Sequence, residues 1–449
     1  MTKENKMGVM PIKQLIVTMS LPMMISMMVQ ALYNVVDSIF VSQINEEALT
    51  AVTLAFPMQN LMIALAAGTG VGVNALLSRS LGEKKFERSD GAANASILLT
   101  VFNYAVFLII GIFGAGKFIA SQTQNPLIRE YGATYLSIIC CCSLGLFFQV
   151  AFERLLQSTG RTIFSMISQA SGAITNIIFD PIFIFGLGPF PKMGVAGAAY
   201  ATILGQLVGC MIGLYCNLHY NKDIKLSMKS ILHPELDIIK EIYYVGVPSI
   251  LMMSIGSAMT YMMNRILEGF SSTATAVFGV YFKLQSFFFM PVFGLNNGLI
   301  PVLAYNYGAR NQERIKEALK FAIILAVSIM VVGMVTFLAI PKVLLGFFAA
   351  SDDMLRMGVP ALRIISLSFP LAGLCIAMGS IFQAFSKSIF SLVISVGRQL
   401  VVLIPAAWLL SKTGVLDLVW CAFPIAELSS LLLSSYFFRK LYKQTVANL

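Results

Sequence analysis

Two carboxylates stand within long apolar stretches of the sequence, where an ionised side chain is costly and invites a functional explanation. Asp37 lies in a stretch rich in Met and Ile, and Asp180 lies in the segment TNIIFDPIFIFG. Asn176 precedes Asp180 by four residues, so these two side chains share one helix face. Pro181 cannot donate a hydrogen bond to the carbonyl of Ile177. These oxygens suit a cation, and two carboxylates in one pocket suit the uptake of a proton or Na⁺.

The stretch around Asp37 also carries a polar stripe. Gln30, Tyr33, Asn34 and Asp37 are spaced i, i+3, i+4 and i+7, which places them on one face of a helix. We predict that Gln30, Tyr33 and Asn34 line a substrate cavity together with Tyr135. Hydrogen bonding between neighbouring helices is the alternative explanation for the stripe.

Glu153 is the third acidic residue of interest in the first half of the chain. We include it in the predicted substrate cavity, where it would meet a cationic substrate. It stands beside Arg154, and an ion pair with a neighbouring arginine is the alternative.

The second half of the chain has a different set of charges in its apolar stretches. Lys283, Arg398 and Glu427 occur there, and Arg398 and Glu427 lie near the middle of successive predicted helices. We predict an internal ion pair between them. The seven cysteines and two histidines lack the spacing of a zinc site or a disulfide framework. No metal site is therefore predicted beyond a possible Na⁺ at the acid pair.

The composition and the apolar runs predict the kind of helix in which these residues lie. The chain has 449 residues, of which 57% are hydrophobic and 12% charged. Apolar runs recur along the whole chain, which excludes a soluble enzyme, a nucleic-acid binder and a disordered chain. A helix needs about 20 residues to cross a bilayer, and the first apolar stretch is too long for a signal-peptide core. We predict twelve spans, near residues 14–42, 49–77, 92–116, 130–152, 162–186, 194–217, 238–264, 274–304, 318–339, 358–382, 388–410 and 415–438.

The distribution of basic residues predicts the orientation of these spans. If the N-terminus is cytoplasmic, the inner segments hold 21 of the 31 Lys and Arg residues and the outer segments hold eight. Both termini are therefore predicted to be cytoplasmic. With this orientation, Asp37, Asn176, Asp180 and Thr202 share one depth in the outer half of the membrane.

The two halves of the chain resemble each other at a constant offset of 226 in the numbering, which we call the repeat offset. Pro22 corresponds to Pro248, the loop LGEKKFER corresponds to YGARNQER, and Ile163-Phe164-Ser165 corresponds to Ile389-Phe390-Ser391. Six spans per half give both halves the same orientation, which is a parallel repeat of the kind found in secondary transporters. We predict an N-lobe at residues 1–217, a cytoplasmic linker at 218–237 and a C-lobe at 238–449.

The chain resembles the multidrug and toxic compound extrusion (MATE) family of transporters. The features that carry the resemblance are SLPMMISMMVQALYNVVDSIFVSQINEEALTAV, the two repeated loops, and NIIFDPIFIFG followed by GVAGAAYAT. The resemblance implies two lobes of six helices, alternating access and export of cationic or amphipathic compounds in exchange for H⁺ or Na⁺. It also implies a cation site at Asp37, Asn176, Asp180 and Thr202, and a hinge in the first span at Pro22.

The sequence thus predicts an all-α integral membrane protein with twelve helices in two parallel-repeat bundles. We expect a cation-coupled antiporter without a cofactor, functional as a monomer in the plasma membrane of a prokaryote. A flippase of the same superfamily, moving a lipid-linked or polar headgroup, is the first alternative. A membrane enzyme or a non-transporting sensor is the second, although the sequence shows no clustered catalytic residues at a membrane face.

Overall fold

The computed structural model describes residues 5–348 and 351–446, and the remaining residues of the predicted lobes lie outside this part of the chain. Every regular element of the described residues is helical. The elements are α1 (Lys6–Val9), α2 (Ile12–Ser42), α3 (Glu46–Gly82), α4 (Phe86–Phe113), α5 (Ala115–Ala120), α6 (Pro126–Cys141), α7 (Leu144–Ser158), α8 (Thr162–Phe185), α9 (Val195–Tyr220), α10 (Met228–Leu232), α11 (Leu236–Glu268), α12 (Ser272–Gly308), α13 (Gln312–Ala339), α14 (Pro341–Gly346), α15 (Asp352–Ser366), α16 (Phe369–Ala384), α17 (Ser388–Val396), α18 (Ile404–Ser411), α19 (Leu416–Trp420) and α20 (Ala422–Gln444), with a π-helix at Gly397–Leu403 between α17 and α18.

The spans agree with the sequence in number. Ten helical stretches of the described chain are long and apolar enough to cross a membrane. Two more spans are broken into helix pairs, α6–α7 with a bend of 46° and α15–α16 with a bend of 45°. With each pair counted as one span, the described residues give twelve. The prediction of an all-α membrane protein is confirmed; the breaks in the fourth and tenth spans were not predicted.

The repeat is visible in the residues that begin and end helices. Asn45 caps α3 by accepting from the amide of Ala48, and Ser271 caps α12 in the same way, one repeat offset later. The turns after α3 and α12 each contain a residue with positive φ, Lys84 at 59° and Arg310 at 53°, and these two residues are again one repeat offset apart. The same local structure therefore recurs at the offset that the sequence indicates.

By their packing, the residues form two compact units. The N-terminal unit is Ile25–Ile250, and the C-terminal unit is Met1–Met24 with Leu251–Leu449. The chain passes from one unit to the other inside α2 and inside α11, two residues after Pro22 and Pro248. This division differs from the predicted lobes, because the first part of each of these helices packs with the other half of the sequence. The lobe boundaries stay a prediction.

In each unit, a glycine allows two helix backbones to pack closely. A Cβ atom on Gly68 of α3 would lie 2.9 Å from the backbone nitrogen of Ile250, in the N-terminal unit. In the C-terminal unit, a Cβ atom on Gly294 of α12 would lie 2.5 Å from Cα of Met24. At the repeat offset, Gly68 corresponds to Gly294, and Met24 corresponds to Ile250. The helices α3 and α12 thus hold the ends of the two crossing segments at equivalent positions.

Candidate functional site

Small residues on α8 and α9 bring the backbones of these two helices close together. A Cβ atom on Gly205 of α9 would lie 2.5 Å from the carbonyl oxygen of Gly172 on α8. One on Gly197 would lie 2.5 Å from the carbonyl oxygen of Phe183. Close approach through small residues is typical of helix pairs in membranes. It brings the part of α8 that carries Asp180 within hydrogen-bonding reach of α9.

The predicted residues of α8 and α9 form one buried hydrogen-bonded group. In the orientation that satisfies both neighbours, the Asn176 amide donates from Nδ2 to Oδ2 of Asp180 at 2.9 Å. Its Oδ1 then accepts from the backbone amide of Thr202 at 3.0 Å. The hydroxyl of Thr202 lies 3.2 Å from Oδ1 of Asn176 and 3.0 Å from the carbonyl oxygen of Ala198. Asp180, Asn176 and Thr202 are 0%, 2% and 3% exposed, so this group is shielded from solvent and lipid.

Asp37 of α2 completes the site. Its carboxyl group lies in hydrogen-bonding contact with that of Asp180. Two ionised carboxylates offer only acceptors, so such a contact needs a shared proton or a bound cation. The Oδ1 atoms of Asp37 and Asp180 are both buried, and among the described residues no N–H or O–H group donates a hydrogen bond to them. The structure therefore brings together all four predicted members of the cation site.

Two tyrosines border this site. The hydroxyl of Tyr33 hydrogen-bonds to the side chain of Thr202. Tyr135 of α6 lies close enough to Asp37 for a direct electrostatic interaction, and its hydroxyl accepts from Nε2 of Gln59 at 3.2 Å. Gln59 was not predicted as a site residue, although an amide within an apolar stretch is a signal in the sequence.

Gln30 and Asn34 of α2 show no contact with the acid pair. Oε1 of Gln30 accepts from Nε2 of Gln169 on α8 at 3.2 Å, and Asn34 is exposed on α2. The role of Gln30 and Asn34 in a substrate cavity therefore stays a prediction.

Glu153 belongs to α7 and contacts α8, and it is 8% exposed. Its Oε1 accepts from Nε2 of Gln149 at 3.0 Å and lies 3.4 Å from the hydroxyl of Ser168. Ser168 precedes Asp180 on α8 by 12 residues, or about 18 Å along the helix. Glu153 is thus separate from the acid pair. Its carboxylate also feels the charge of Arg154, so the alternatives of substrate contact and pairing with arginine both stay open.

The donor atoms of the site suit H⁺ or a hard cation. They are carboxylate, amide and hydroxyl oxygens, the ligands that such cations prefer. The described residues contain no group of three or more His, Cys, Asp or Glu that could hold a metal ion.

The sequence model of the MatE family matches the chain twice, at residues 22–182 and 248–409. The two matches begin at Pro22 and Pro248, the two prolines that correspond in the repeat, and they cover most of the chain. The chain belongs to the MatE family. The family predicted from the sequence is thereby confirmed, and the two matches also reflect the parallel repeat.

Curated relatives and solved structures agree with this assignment. The FAD transporter of Shewanella oneidensis is 28% identical over 430 residues, which are 93% of this chain and 92% of that protein. Multidrug export protein MepA of Staphylococcus saprophyticus is 25% identical over 403 residues, or 89% of this chain and 88% of that protein. The solved structure of an outward-facing multidrug resistance MATE family transporter of the MOP superfamily is 26% identical. It has a TM-score of 0.93 and covers 100% of this chain and 99% of its own.

Proposed function

We propose that this protein is an antiporter that exports cationic or amphipathic organic compounds in exchange for H⁺ or Na⁺. The observation that carries the proposal is the contact between the Asp37 and Asp180 carboxyl groups. It lies in a buried site completed by Asn176 and Thr202. A relative named as a multidrug export protein supports the substrate class.

The chemistry of the pair provides a coupling step. With neither proton nor cation, two adjacent carboxylates repel each other in a low-dielectric site. Uptake of one H⁺ or Na⁺ removes this repulsion and allows the carboxyl groups to remain in contact. Coupling then requires that the ion and the drug favour different states or compete for one site. A bend of α2 at Pro22, which lacks a backbone donor, is the proposed hinge between these states.

The test is dye export in vesicles of defined ion content. Purified protein is reconstituted with an imposed pH gradient or an imposed Na⁺ gradient, and transport of ethidium, a cationic dye, is followed by fluorescence. We expect at least one gradient to drive ethidium transport and its collapse by an ionophore to stop it. Ethidium movement that is the same in protein-free vesicles under both gradients contradicts the proposal.

We also propose that the protein acts as a monomer in the plasma membrane of a prokaryote, with both termini cytoplasmic. The bias of Lys and Arg residues between loops supports this orientation. A C-terminal green fluorescent protein fusion is expected to fluoresce in cells, whereas an alkaline phosphatase fusion at the same place is expected to be inactive. The opposite pair of results contradicts the orientation.

A second candidate function is export of a compound that carries an anionic group. It is favoured by the relative that is named as a FAD transporter and is 28% identical over nearly the whole chain.

A further inference from the structure

The C-terminal unit contains an ion pair deep inside two spans. Nη1 of Arg398 donates to Oε1 of Glu427 at 2.6 Å, which confirms the internal pair that the sequence predicts. Arg398 is the eleventh residue of the span Ser388–Ser411, and Glu427 is the twelfth of Leu416–Gln444. At about 1.5 Å per residue, both lie near the middle of a hydrocarbon core about 30 Å thick.

The hydrogen bonding of this pair is incomplete. Glu427 is only 7% exposed. Its Oε2 atom is buried and has no hydrogen-bond partner among the described residues. The Arg398 side chain is 32% exposed, and a guanidinium has five N–H donors. An arginine at this depth is costly against lipid tails, so we expect its open side to face a polar space. A cationic donor and an unused acceptor thus stand side by side.

The backbone around Arg398 is also unusual. Arg398 belongs to the π-helix Gly397–Leu403, whereas the corresponding residues of the first half, 171–177, lie within the regular helix α8. π-Helical turns are rare and often occur at functional sites. The widened turn is therefore a feature of the second half alone, at the residue that carries its internal positive charge.

A row of serines leads from the end of the span to this pair. Ser388, Ser391, Ser395 and Arg398 are spaced by three, four and three residues, which places them on one helix face. The hydroxyls of Ser388 and Ser391 are buried and have no partner among the described residues, and the same holds for Ser386 just before the helix. Buried hydroxyls without protein partners are places for bound water. Water bound at these hydroxyls would lie between the end of the span and the ion pair, where it could carry a proton.

Ser386 occupies a strained backbone position. Its φ is 57°, and the corresponding residue of the first half is Gly160, with φ of 86°. The left-handed region costs a residue with a side chain about 1 kcal/mol, and glycine almost nothing. Serine at this position is thus unfavourable for the backbone, which is consistent with a use for its hydroxyl.

Few other ionisable groups face the pair in the described part of the chain. Tyr281 of α12 and Cys375 of α16 lie close enough to Glu427 and Arg398 to interact with their charges. The Cys375 thiol hydrogen-bonds to Ser430 and Ser434 of α20. Within this described group, Arg398 is the one cation and Glu427 is the one carboxylate.

We propose that this cluster binds the anionic group, a phosphate or a carboxylate, of an organic molecule. The anion replaces the Glu427 carboxylate at Arg398, and Glu427 takes up one proton from bulk solvent, relayed by water along the serine row. A carboxylate brings one negative charge and enters with this proton alone, whereas a phosphate monoester, which carries about two at pH 7, enters with one further proton on the phosphate. The buried site stays electrically neutral in both cases, as its low dielectric requires. The inference adds to the second candidate function, and its test measures binding, so it can fail while export stands.

Two flavins serve as matched probes, because flavin mononucleotide is riboflavin with one added phosphate. Both are titrated against the full-length protein in detergent and followed by fluorescence anisotropy. We expect flavin mononucleotide to bind at least about tenfold more tightly than riboflavin, the effect of one charge-assisted hydrogen bond. In weakly buffered solution with a pH indicator, its binding is expected to take up about two protons per site, one on Glu427 and one on the phosphate.

Variants separate the two partners. Glu427→Gln is expected to keep the preference for flavin mononucleotide and to take up about one proton fewer per site than the wild type. The double variant Arg398→Gln/Glu427→Gln, which removes both charges and leaves no unpaired ion, is expected to lose the preference. Lys412→Gln is the control, since Lys412 lies over the Trp408 ring at the end of α18, and is expected to behave as the wild type. Unchanged ethidium transport by the double variant shows that it is folded.

Competitors identify the anion. Displacement of flavin mononucleotide by phenyl phosphate assigns the site to phosphates, and displacement by benzoate assigns it to carboxylates. Equal binding of both flavins to the wild type contradicts the proposal. So does equal competition by benzyl alcohol, a preference that survives in the double variant, or proton uptake that is as large in Glu427→Gln as in the wild type.

Discussion

Asp37 and Asp180 face each other through atoms that cannot donate a hydrogen bond when both groups are ionised. Their contact therefore reports a requirement for H⁺ or a cation at this place in the N-terminal unit. Asn176 supports Asp180 from one side, and Thr202 supports Asn176 from α9. At this scale the site is a chain of polar contacts, and each contact can be removed separately.

Thr202→Val tests the hydroxyl at the end of this chain. The substitution keeps the shape of the side chain but removes the contacts of the hydroxyl with Tyr33 and Asn176. Loss of one such hydrogen bond costs about 1 kcal/mol, or about fivefold in affinity. We expect about fivefold more of the driving ion to be needed for half-maximal ethidium export.

Thr175→Val is the matched control for this measurement. Its hydroxyl also bonds to a carbonyl of its own helix, that of Ser171 at 2.8 Å, but it has no part in the acid site. Equal ion dependence of the two variants contradicts the role given to Thr202.

At the scale of helices, the acid site depends on the close approach of α8 and α9. Gly205 makes this approach possible, because a Cβ atom there would lie 2.5 Å from the Gly172 carbonyl oxygen. Gly205→Ala is expected to destabilise the protein by about 1–3 kcal/mol, the usual effect of overpacking. The measurement is the temperature at which monodisperse protein is lost in detergent.

Gly279→Ala is the control, since a Cβ atom on Gly279 of α12 would have no neighbour within 4 Å. Replacing glycine by alanine inside a helix stabilises it by about 0.5–1 kcal/mol. The two variants should therefore shift the temperature in opposite directions, and an equal shift would show that close packing of α8 on α9 is not needed.

Arg314 fixes the beginning of the chain to the C-terminal unit. Its Nη2 donates to the carbonyls of Met7 at 3.0 Å and Met10 at 2.8 Å, and its Nε donates to Oδ1 of Asn306 at 3.0 Å. At the repeat offset, Arg314 corresponds to Arg88. Arg88 pairs with Glu241 of α11 in the N-terminal unit. Arg88 therefore holds the first part of α11, and Arg314 holds the segment that leads into α2, the two helices that pass between the units.

Arg314→Ala should release this segment. Removal of two charge-assisted hydrogen bonds is expected to speed amide hydrogen exchange in Lys6–Val9 at least about tenfold. Lys320→Ala, at an exposed position of α13, is expected to leave exchange there unchanged. Exchange that is equally slow in Arg314→Ala would show that packing of Met7 and Ile12 alone holds the segment.

For the whole molecule, the features that the sequence predicts well are those encoded in local patterns. Apolar runs predict the spans, and the constant repeat offset predicts the repeat. The acid site is predicted because Asp37 and Asp180 are costly residues in an apolar context. The bends after Cys141 and Ser366, the π-helix at Arg398 and the passage of α2 between two units are set by contacts distant in sequence. No local pattern reports them.

The two units carry different chemistry on one repeated scaffold. The N-terminal unit holds a carboxyl pair without a protein cation, whereas the C-terminal unit holds a carboxylate with a built-in cation, Arg398. At the repeat offset, Asp37 corresponds to Met263 and Asp180 corresponds to Ala406. Ion coupling is therefore expected to depend on the N-terminal unit alone.

We propose that the Asp37–Asp180 pair couples ion entry to drug exit. The most direct test is gradient-driven ethidium export in vesicles that contain Asp180→Asn, compared with Asp417→Asn, the same substitution at an exposed position of α19. We expect Asp180→Asn to lose export while it remains folded and monodisperse, and Asp417→Asn to transport as the wild type does. Undiminished export by Asp180→Asn would contradict the account.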